Sequence, residues 1–486
     1  MQLRAHSQIM ASSAPLDPAI RKSVLRVLFI SLLLDLVRTL YSLFRTSAHQ
    51  VQISFTFILP LFPSLLSFYR NLDTRPTSLL NRIIHYLNAY KQTFSIPINS
   101  KYDIVLLGGA LGSLFSLLQA IASPIIGRAS DRYGRRTALL WSMAGNIASV
   151  ALWCAATDFR TFLLSRVIGG LSEGNVQLAT AIAADISDDS QRGSTMALVG
   201  ACFSIAFTFG PALGAALANI TLVAANPFAT AAGFSLLLIL IETVYLYFYL
   251  PETRPTKATS PTPDTTRQNG SATKHPIPSK PSTPHRNHPI LLNLLHFLFL
   301  LPFSGLEFSL PFLLTTTLHP NHPSPSKLNG RLLGFIGLIA SILQGSIVRR
   351  LPAVSIVRTG ICSCALAFFL LARTTSSTGL YIAGAMLAVT SATVVTGLNS
   401  LGSFEAEEAD RGKTLGALRS WGQFGRALGP VVFCSLFWWA GREIAYTVGG
   451  CCMLGVAGLA FGVLKAPSTT SSRGVEAKKM KEGKVQ

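Results

Sequence analysis

The sequence predicts an all-α membrane protein made of two six-helix bundles around a central cavity. Three observations carry that prediction. Charged residues are only 13% of the 486, against about 25% in soluble proteins. Hydrophobic residues reach 49% with a mean hydropathy of +0.44, and they gather in continuous runs, unlike the alternating strands of a membrane barrel. One polar-to-apolar pattern also occurs twice, once in each half of the chain. The excess of 41 Lys+Arg over 21 Asp+Glu would suggest a nucleic-acid partner in a soluble chain. Here the basic residues sit in loops and tails between apolar runs, so they read as positive-inside bias and no nucleic acid is implied.

Residues 1–22 form a polar tail without the apolar core and small-residue cleavage site of a secretory signal, so the first apolar run is a retained span. The first bundle, 23–250, carries apolar runs near Val24 to Phe68 (interrupted), Ile104 to Ile126, Ala138 to Ala156, Phe162 to Ala184, Thr195 to Ala218 and Phe228 to Leu250. Residues 251–289 are rich in Pro, Ser, Thr and Lys and cannot bury a core, which predicts a disordered linker. The second bundle, 290–464, has runs near Leu291 to Leu314, Leu332 to Val348, Ile356 to Ala372, Leu380 to Asn399, Leu415 to Trp439 and Ala445 to Leu464, and 465–486 form a basic tail. The basic loop from Arg128 to Arg136, the linker, the segment with Arg349, Arg350 and Arg358 and the C-terminal tail all fall on one side, which predicts a multi-pass protein with both termini cytoplasmic. The membrane is the plasma membrane or an internal one. The connection from Arg70 to Lys101 lies on the other side, and Leu80, Ile83, Ile84, Leu87 and Tyr90 recur in it at helical spacing, which predicts a helix lying on the membrane surface.

The repeat sharpens the two-halves reading. Arg192, Gly193 and Thr195 precede Gly210 and Pro211 in the first half, and Arg411, Gly412 and Thr414 precede Gly429 and Pro430 at the same spacing in the second. Duplication of six spans is a mark of membrane carriers. Between the second and third spans runs Gly127, Arg128, Ala129, Ser130, Asp131, Arg132, Tyr133, Gly134, Arg135, Arg136 and Thr137. Gly134 supplies a short turn and Gly127 permits close helix approach. Asp131 can sit against a helix N-terminus of the other half, and Arg135 can pair with Asp185 or Asp188. Such contacts would latch one conformation.

This stretch resembles the loop motif of the major facilitator superfamily. Arg166 with Gly169 and Gly170 resembles that family's second motif, whose buried arginine implies proton coupling, and Gly200, Gly210, Pro211 and Gly214 resemble its antiporter motif. Pro251, Glu252 and Thr253 resemble the usual end of the first half. The runs Ser165 to Asn175, Ser304 to Glu307 and Arg426 to Pro430 look like the tetracycline-transporter-like branch, which implies an efflux carrier for organic anions and related drugs.

Polar residues inside spans avoid lipid and are the pocket candidates: Asp35, Gln119, Asn146, Glu173, Asn175 and Gln177 in the first half, with Glu242. In the second half they are Glu307, Gln344, Asn399 and Arg426. Asp35 and Glu307, in the opening spans of the halves, lead as proton or substrate sites, and each can equally make a structural interhelix bond. Arg426 can offer charge to an organic anion, or bond a carbonyl at a kink. His296 and Asn293 read as interfacial.

The opening span breaks after Leu36 into Arg38, Tyr41, Arg45 and His49 before apolar character resumes at Ile53. Removing 37–52 joins Leu36 to Ile53 in one continuous span, so these residues read as a retained intron; the alternative is a real insertion forming an extra helix. There is no GxxxxGK[ST] phosphate loop and no HExxH, so no enzyme activity, ATP drive, metal or cofactor is expected. The expected function is proton-coupled secondary transport of small amphipathic organic molecules across a bilayer by alternating access, performed by a monomer. The alternatives are a gradient-independent uniporter and a non-transporting sensor.

Overall fold

The computed structural model describes residues 68–72, 75, 77–93, 100–188, 190–202, 204, 223, 226–253, 287–314 and 325–466. Asp35, the stretch 37–52, Gly210, Pro211, the N-terminal tail and residues 467–486 lie outside them, as does most of the linker. Among the described residues there is no strand, and eight helices are long and apolar enough to cross a membrane.

The first half contains α1 (Leu79–Thr93), α2 (Ser100–Tyr133), α3 (Arg135–Cys154), α4 (Phe159–Ser172), α5 (Asn175–Asp185), α6 (192–202) and α7 (Ala229–Tyr249). The second contains α8 (Pro289–Phe312), α9 (Pro325–Ser346), α10 (Ala353–Arg373), α11 (Ser377–Glu405) and α12 (Arg411–Val463). Gly441, at φ 82°, divides α12 into two helical arms. Helix starts follow local chemistry. Asp158 accepts from the Thr161 N–H ahead of α4, Ser376 accepts from Gly379 ahead of α11, and Pro289 occupies the first turn of α8.

The helices depart from the sequence reading in three places. The expected loop from Gly127 is helical as far as Tyr133, because the 34 residues of α2 reach about 51 Å and outrun a hydrocarbon core of about 30 Å. The turn is Gly134 alone, at φ 101°. The fourth span is two helices, α4 and α5, joined at Glu173 and Gly174, where Ser142 Oγ accepts the Gly174 N–H at 2.8 Å and donates to the Ser172 carbonyl at 2.5 Å. A side chain on another helix thus satisfies backbone groups that a continuous helix would have paired internally. Finally, α1 occupies the segment expected to lie on a membrane surface, but Leu80 and Ile84 are buried in the protein core with Tyr69, Phe159 and Phe228. Its Tyr90 hydroxyl is 2.7 Å from Ser435 Oγ of the second half.

Each half has its own apolar core, one around Phe162, Ile182 and Ala232, the other around Phe299, Phe368 and Tyr446. Small residues close the seam between them. A Cβ on Gly127 would stand 2.2 Å from the Gly412 carbonyl oxygen, and one on Gly416 would stand 2.6 Å from that of Ser123. Ser420 Oγ donates to the Ala120 carbonyl at 2.6 Å. Backbone-to-backbone approach of this kind is how helices associate where lipid offers no hydrophobic driving force. The linker read over 251–289 is packed at both ends. Asn287 is buried against Glu405 and the Lys465 backbone, and Glu252 lies on α3.

Candidate functional site

The last turns of α2, the start of α3, the end of α5 and the start of α12 meet at one end of the molecule. Asp131 accepts the N–H groups of Gly412 at 2.8 Å and Lys413 at 2.7 Å, so its carboxylate caps the opening of a helix that belongs to the other half. Two of that helix's otherwise unpaired donors are satisfied, and the negative charge faces the positive end of the helix dipole. Arg135 Nη1 donates to Asp131 at 2.6 Å and to Ser130 Oγ at 2.6 Å, while its Nε donates to Asp185 at 2.7 Å. Asp185 also takes Arg411 Nη1 at 2.6 Å. The Asp185 side chain is 0% exposed, with Arg135 at 1% and Arg411 at 5%, so one buried carboxylate joins a cation from each half. Without it Arg411 would be a buried charge lacking this carboxylate, and Arg135 would keep Asp131 alone.

Two glycines make this arrangement possible. At Gly127 any side chain would collide with Gly412, and at Gly134 a Cβ would fall 2.3 Å from the Glu252 carboxylate. That carboxylate accepts the N–H groups of Arg135 at 2.7 Å and Arg136 at 3.2 Å and so caps α3. Arg136 donates to the Tyr247 carbonyl and lies over the Tyr247 ring, 5.4 Å from its centroid. Arg132 is exposed, 5.2 Å from the centroid of the Tyr133 ring. A second contact between halves lies beside the latch, where Arg192 Nη1 donates to the Ser403 carbonyl and its guanidinium covers the Phe404 ring.

Deeper in the interior, Arg426 and Glu307 form an ion pair at 3.2 Å, with side chains 22% and 30% exposed. Arg166 is buried between the rings of Trp153 and Phe162, and the charge of Glu173 acts on both Arg166 and Arg419. Among the described residues, Arg166, Arg419 and Arg426 thus share this region with Glu173 and Glu307. His296 and Asn293, read as interfacial, are buried instead. His296 is 4% exposed against Gly422, and its Nδ1 lies 2.9 Å from the Leu418 carbonyl oxygen because a glycine leaves room for the ring.

The remaining polar positions divide by their partners. Gln177 Nε2 donates to the Ser123 carbonyl at 3.0 Å, and Asn175 Oδ1 accepts the Val176 N–H at the start of α5. Gln344 accepts from Ser204 at 2.6 Å and donates to the Ala392 carbonyl and to Thr396, so it ties the fifth span to the second half. Gln119 and Asn146 are buried, and Asn399 is half-buried. Gly429 packs against the Leu301 backbone, and Pro430 touches the face of α2 at Gly109. Three residues escaped the sequence reading. Glu252 reads in the sequence as part of the end of the first half, and Arg411 as half of a repeat. Arg419 lay unremarked in a span, although its charge at seven residues from Arg426 was a usable signal.

Two bundles of membrane-spanning helices with small-residue seams, a charged latch joining them at one end and an ion pair in the interior define a membrane carrier. The family model for the Major Facilitator Superfamily matches residues 27–430, and the chain belongs to that superfamily. It is 34% identical over 470 residues to "Major facilitator superfamily domain-containing protein 10" of Mus musculus, covering 93% of this chain and 95% of that protein. A solved structure described as the human organic anion transporter MFSD10 (TETRAN) superposes with a TM-score of 0.75 at 30% identity, over 91% of this chain and 100% of that one. The "Tetracycline resistance protein, class G" of Vibrio anguillarum is 35% identical over 133 residues, 27% of this chain and 33% of that protein. The protein is accordingly an integral multi-pass membrane transporter and not an enzyme.

Proposed function

We propose that this transporter exports amphipathic organic anions in exchange for protons, as a monomer, with the latch and both chain ends on the cytoplasmic face. The observation that carries the reading is the Arg426–Glu307 pair at 3.2 Å, a carboxylate and a cation in the interior of a carrier. Glu307 is a carboxylate that can load and release a proton, and Arg426 is a cation that can meet an anion, so the pair supplies one group for each of the two species exchanged. The substrate class is supported by the likeness to the human organic anion transporter of known structure.

Alternating access follows from the geometry of the latch. With Asp131 on the opening of α12 and Asp185 bridging Arg135 and Arg411, the latched end is closed and cargo exchanges at the opposite end. Breaking the latch opens the cytoplasmic path. Asp131, Arg132, Arg135, Arg136 and Asp185 thus gate, with Gly127 and Gly134 as the spacers they need. Basic residues on the latch side support its cytoplasmic placement. The test is uptake of a labelled organic anion into proteoliposomes under an imposed pH gradient. Accumulation that collapses with the gradient is expected, and accumulation indifferent to the gradient would exclude coupling.

A further inference from the structure

The first arm of α12 presents two chemically different faces. Trp421, Phe424, Leu428 and Val432 are exposed apolar side chains on one stripe, as expected of a lipid-facing surface. At about 100° per residue, Arg419, Gln423 and Arg426 lie on the opposite side, roughly 150° from that stripe. They fall between the edge packed on α2, marked by Gly412, Gly416 and Ser420, and the edge packed on α8, marked by Gly422, Gly425 and Gly429. The face carrying the two arginines therefore points toward the axis between the halves, and its partial exposure is to an interior space.

The three polar side chains on that face differ in how well they are satisfied. Arg426 has Glu307 at 3.2 Å. Arg419 Nε and Gln423 Oε1 are buried and make no hydrogen bond. The charges that act on Arg419 are those of Glu173, from the joint between α4 and α5 in the other half, and of Arg426. Glu173 in turn is shared with Arg166. His296 completes the surroundings from α8, and its Nδ1 is committed to the Leu418 carbonyl. A guanidinium that faces another cation, shares its counter-anion and keeps an unfilled donor is a site waiting for an acceptor.

We infer that Arg419, Gln423 and Arg426 form the subsite for the anionic head of the cargo, a carboxylate or sulfonate, and that Glu173 is the resident counter-anion of Arg419 which the cargo displaces. The inference rests on the organic-anion reading above. The spacing suits an elongated head: seven residues place the two arginine Cα atoms about 10.5 Å apart along the helix, and their side chains can converge on one group lying between them. Displacing Glu173 also weakens an electrostatic attraction between the halves, which links cargo binding to the joint in the fourth span.

The full-length protein reconstituted in liposomes is tested for binding of naphthoate and of its uncharged amide, naphthamide. The wild type is expected to prefer the acid. Arg419→Gln is expected to weaken naphthoate binding about tenfold, the size of one charged hydrogen-bonded pair, and to leave naphthamide unchanged. Glu173→Gln is expected to strengthen naphthoate binding about threefold or more, since a competing anion has gone. A gain of affinity is not a symptom of misfolding, so this variant guards the test. A wild type that binds both compounds alike, or neither, overturns the subsite together with the organic-anion reading. A wild type that prefers the acid while Arg419→Gln keeps the same preference overturns the subsite alone. Weaker naphthoate binding in Glu173→Gln overturns its part as counter-anion.

Discussion

Replacing Asp131 by Asn tests the latch with a change of two atoms' chemistry and almost no change of shape. In the wild type the carboxylate accepts three charge-assisted hydrogen bonds, from Gly412 N at 2.8 Å, Lys413 N at 2.7 Å and Arg135 Nη1 at 2.6 Å. Bonds to charged groups contribute about 1.5–3 kcal/mol each, and a charge at a helix N-terminus about 0.3–1 kcal/mol. Asn keeps one accepting oxygen, loses the charge that faces both the helix end and Arg135, and turns an NH2 toward donors. Part of the loss is offset because a neutral amide is easier to bury, which leaves a net cost of about 2 kcal/mol. That cost falls on the latched state alone, so the ratio of latched to unlatched protein drops about thirtyfold. Re-forming the latched state then limits the cycle. Initial rates of organic-anion transport in proteoliposomes should show turnover lowered about tenfold or more. Half-saturation should shift by less than about threefold, because the interior ion pair is untouched. Turnover equal to the wild type at equal amounts of reconstituted protein would refute the latch.

Asp185→Asn should cost more, about 3–5 kcal/mol, because it leaves Arg411 buried without its carboxylate and Arg135 with Asp131 alone; thermal unfolding in detergent should move to lower temperature, and an unchanged midpoint would contradict the bridge. Gly127→Val should block the latched state outright, since even a Cβ would stand 2.2 Å from a backbone oxygen, and transport comparable to the wild type would show that the helices separate there. For the stretch 37–52, transcripts from the source organism are expected to join Leu36 to Ile53. Native membranes that yield peptides from within it would make it a true part of the protein.

Much of the helical order is legible because a bilayer penalises unpaired backbone so heavily that long apolar runs have one solution. The contact of Asp131 with the other half's helix is legible for a related reason. A short acidic side chain beside glycines at a span end has few places to go, and the structure holds it on Gly412 and Lys413. What hydropathy misses is where helices bend and whom a charge meets. The joint at Glu173 and Gly174 is fixed by Ser142, 32 residues away from Gly174, and no local pattern announces it. Asp185 serves two arginines 226 and 50 residues distant, which only the folded seam brings together. The apolar positions of α1 look the same whether lipid or protein covers them, and here protein does. Arg419 is hidden by its setting, since the sequence does not show which charges the fold brings to it.

The central claim is that a proton on Glu307 and an organic anion move through one interior site. Its most direct test compares two fluxes in proteoliposomes of the wild type and Glu307→Gln. One is accumulation of a labelled organic anion driven by a pH gradient; the other is exchange of labelled for unlabelled anion with no gradient. Glu307→Gln removes the titrating group and leaves Arg426 available, so it should abolish gradient-driven accumulation while exchange continues. Full gradient-driven accumulation in Glu307→Gln would contradict the claim.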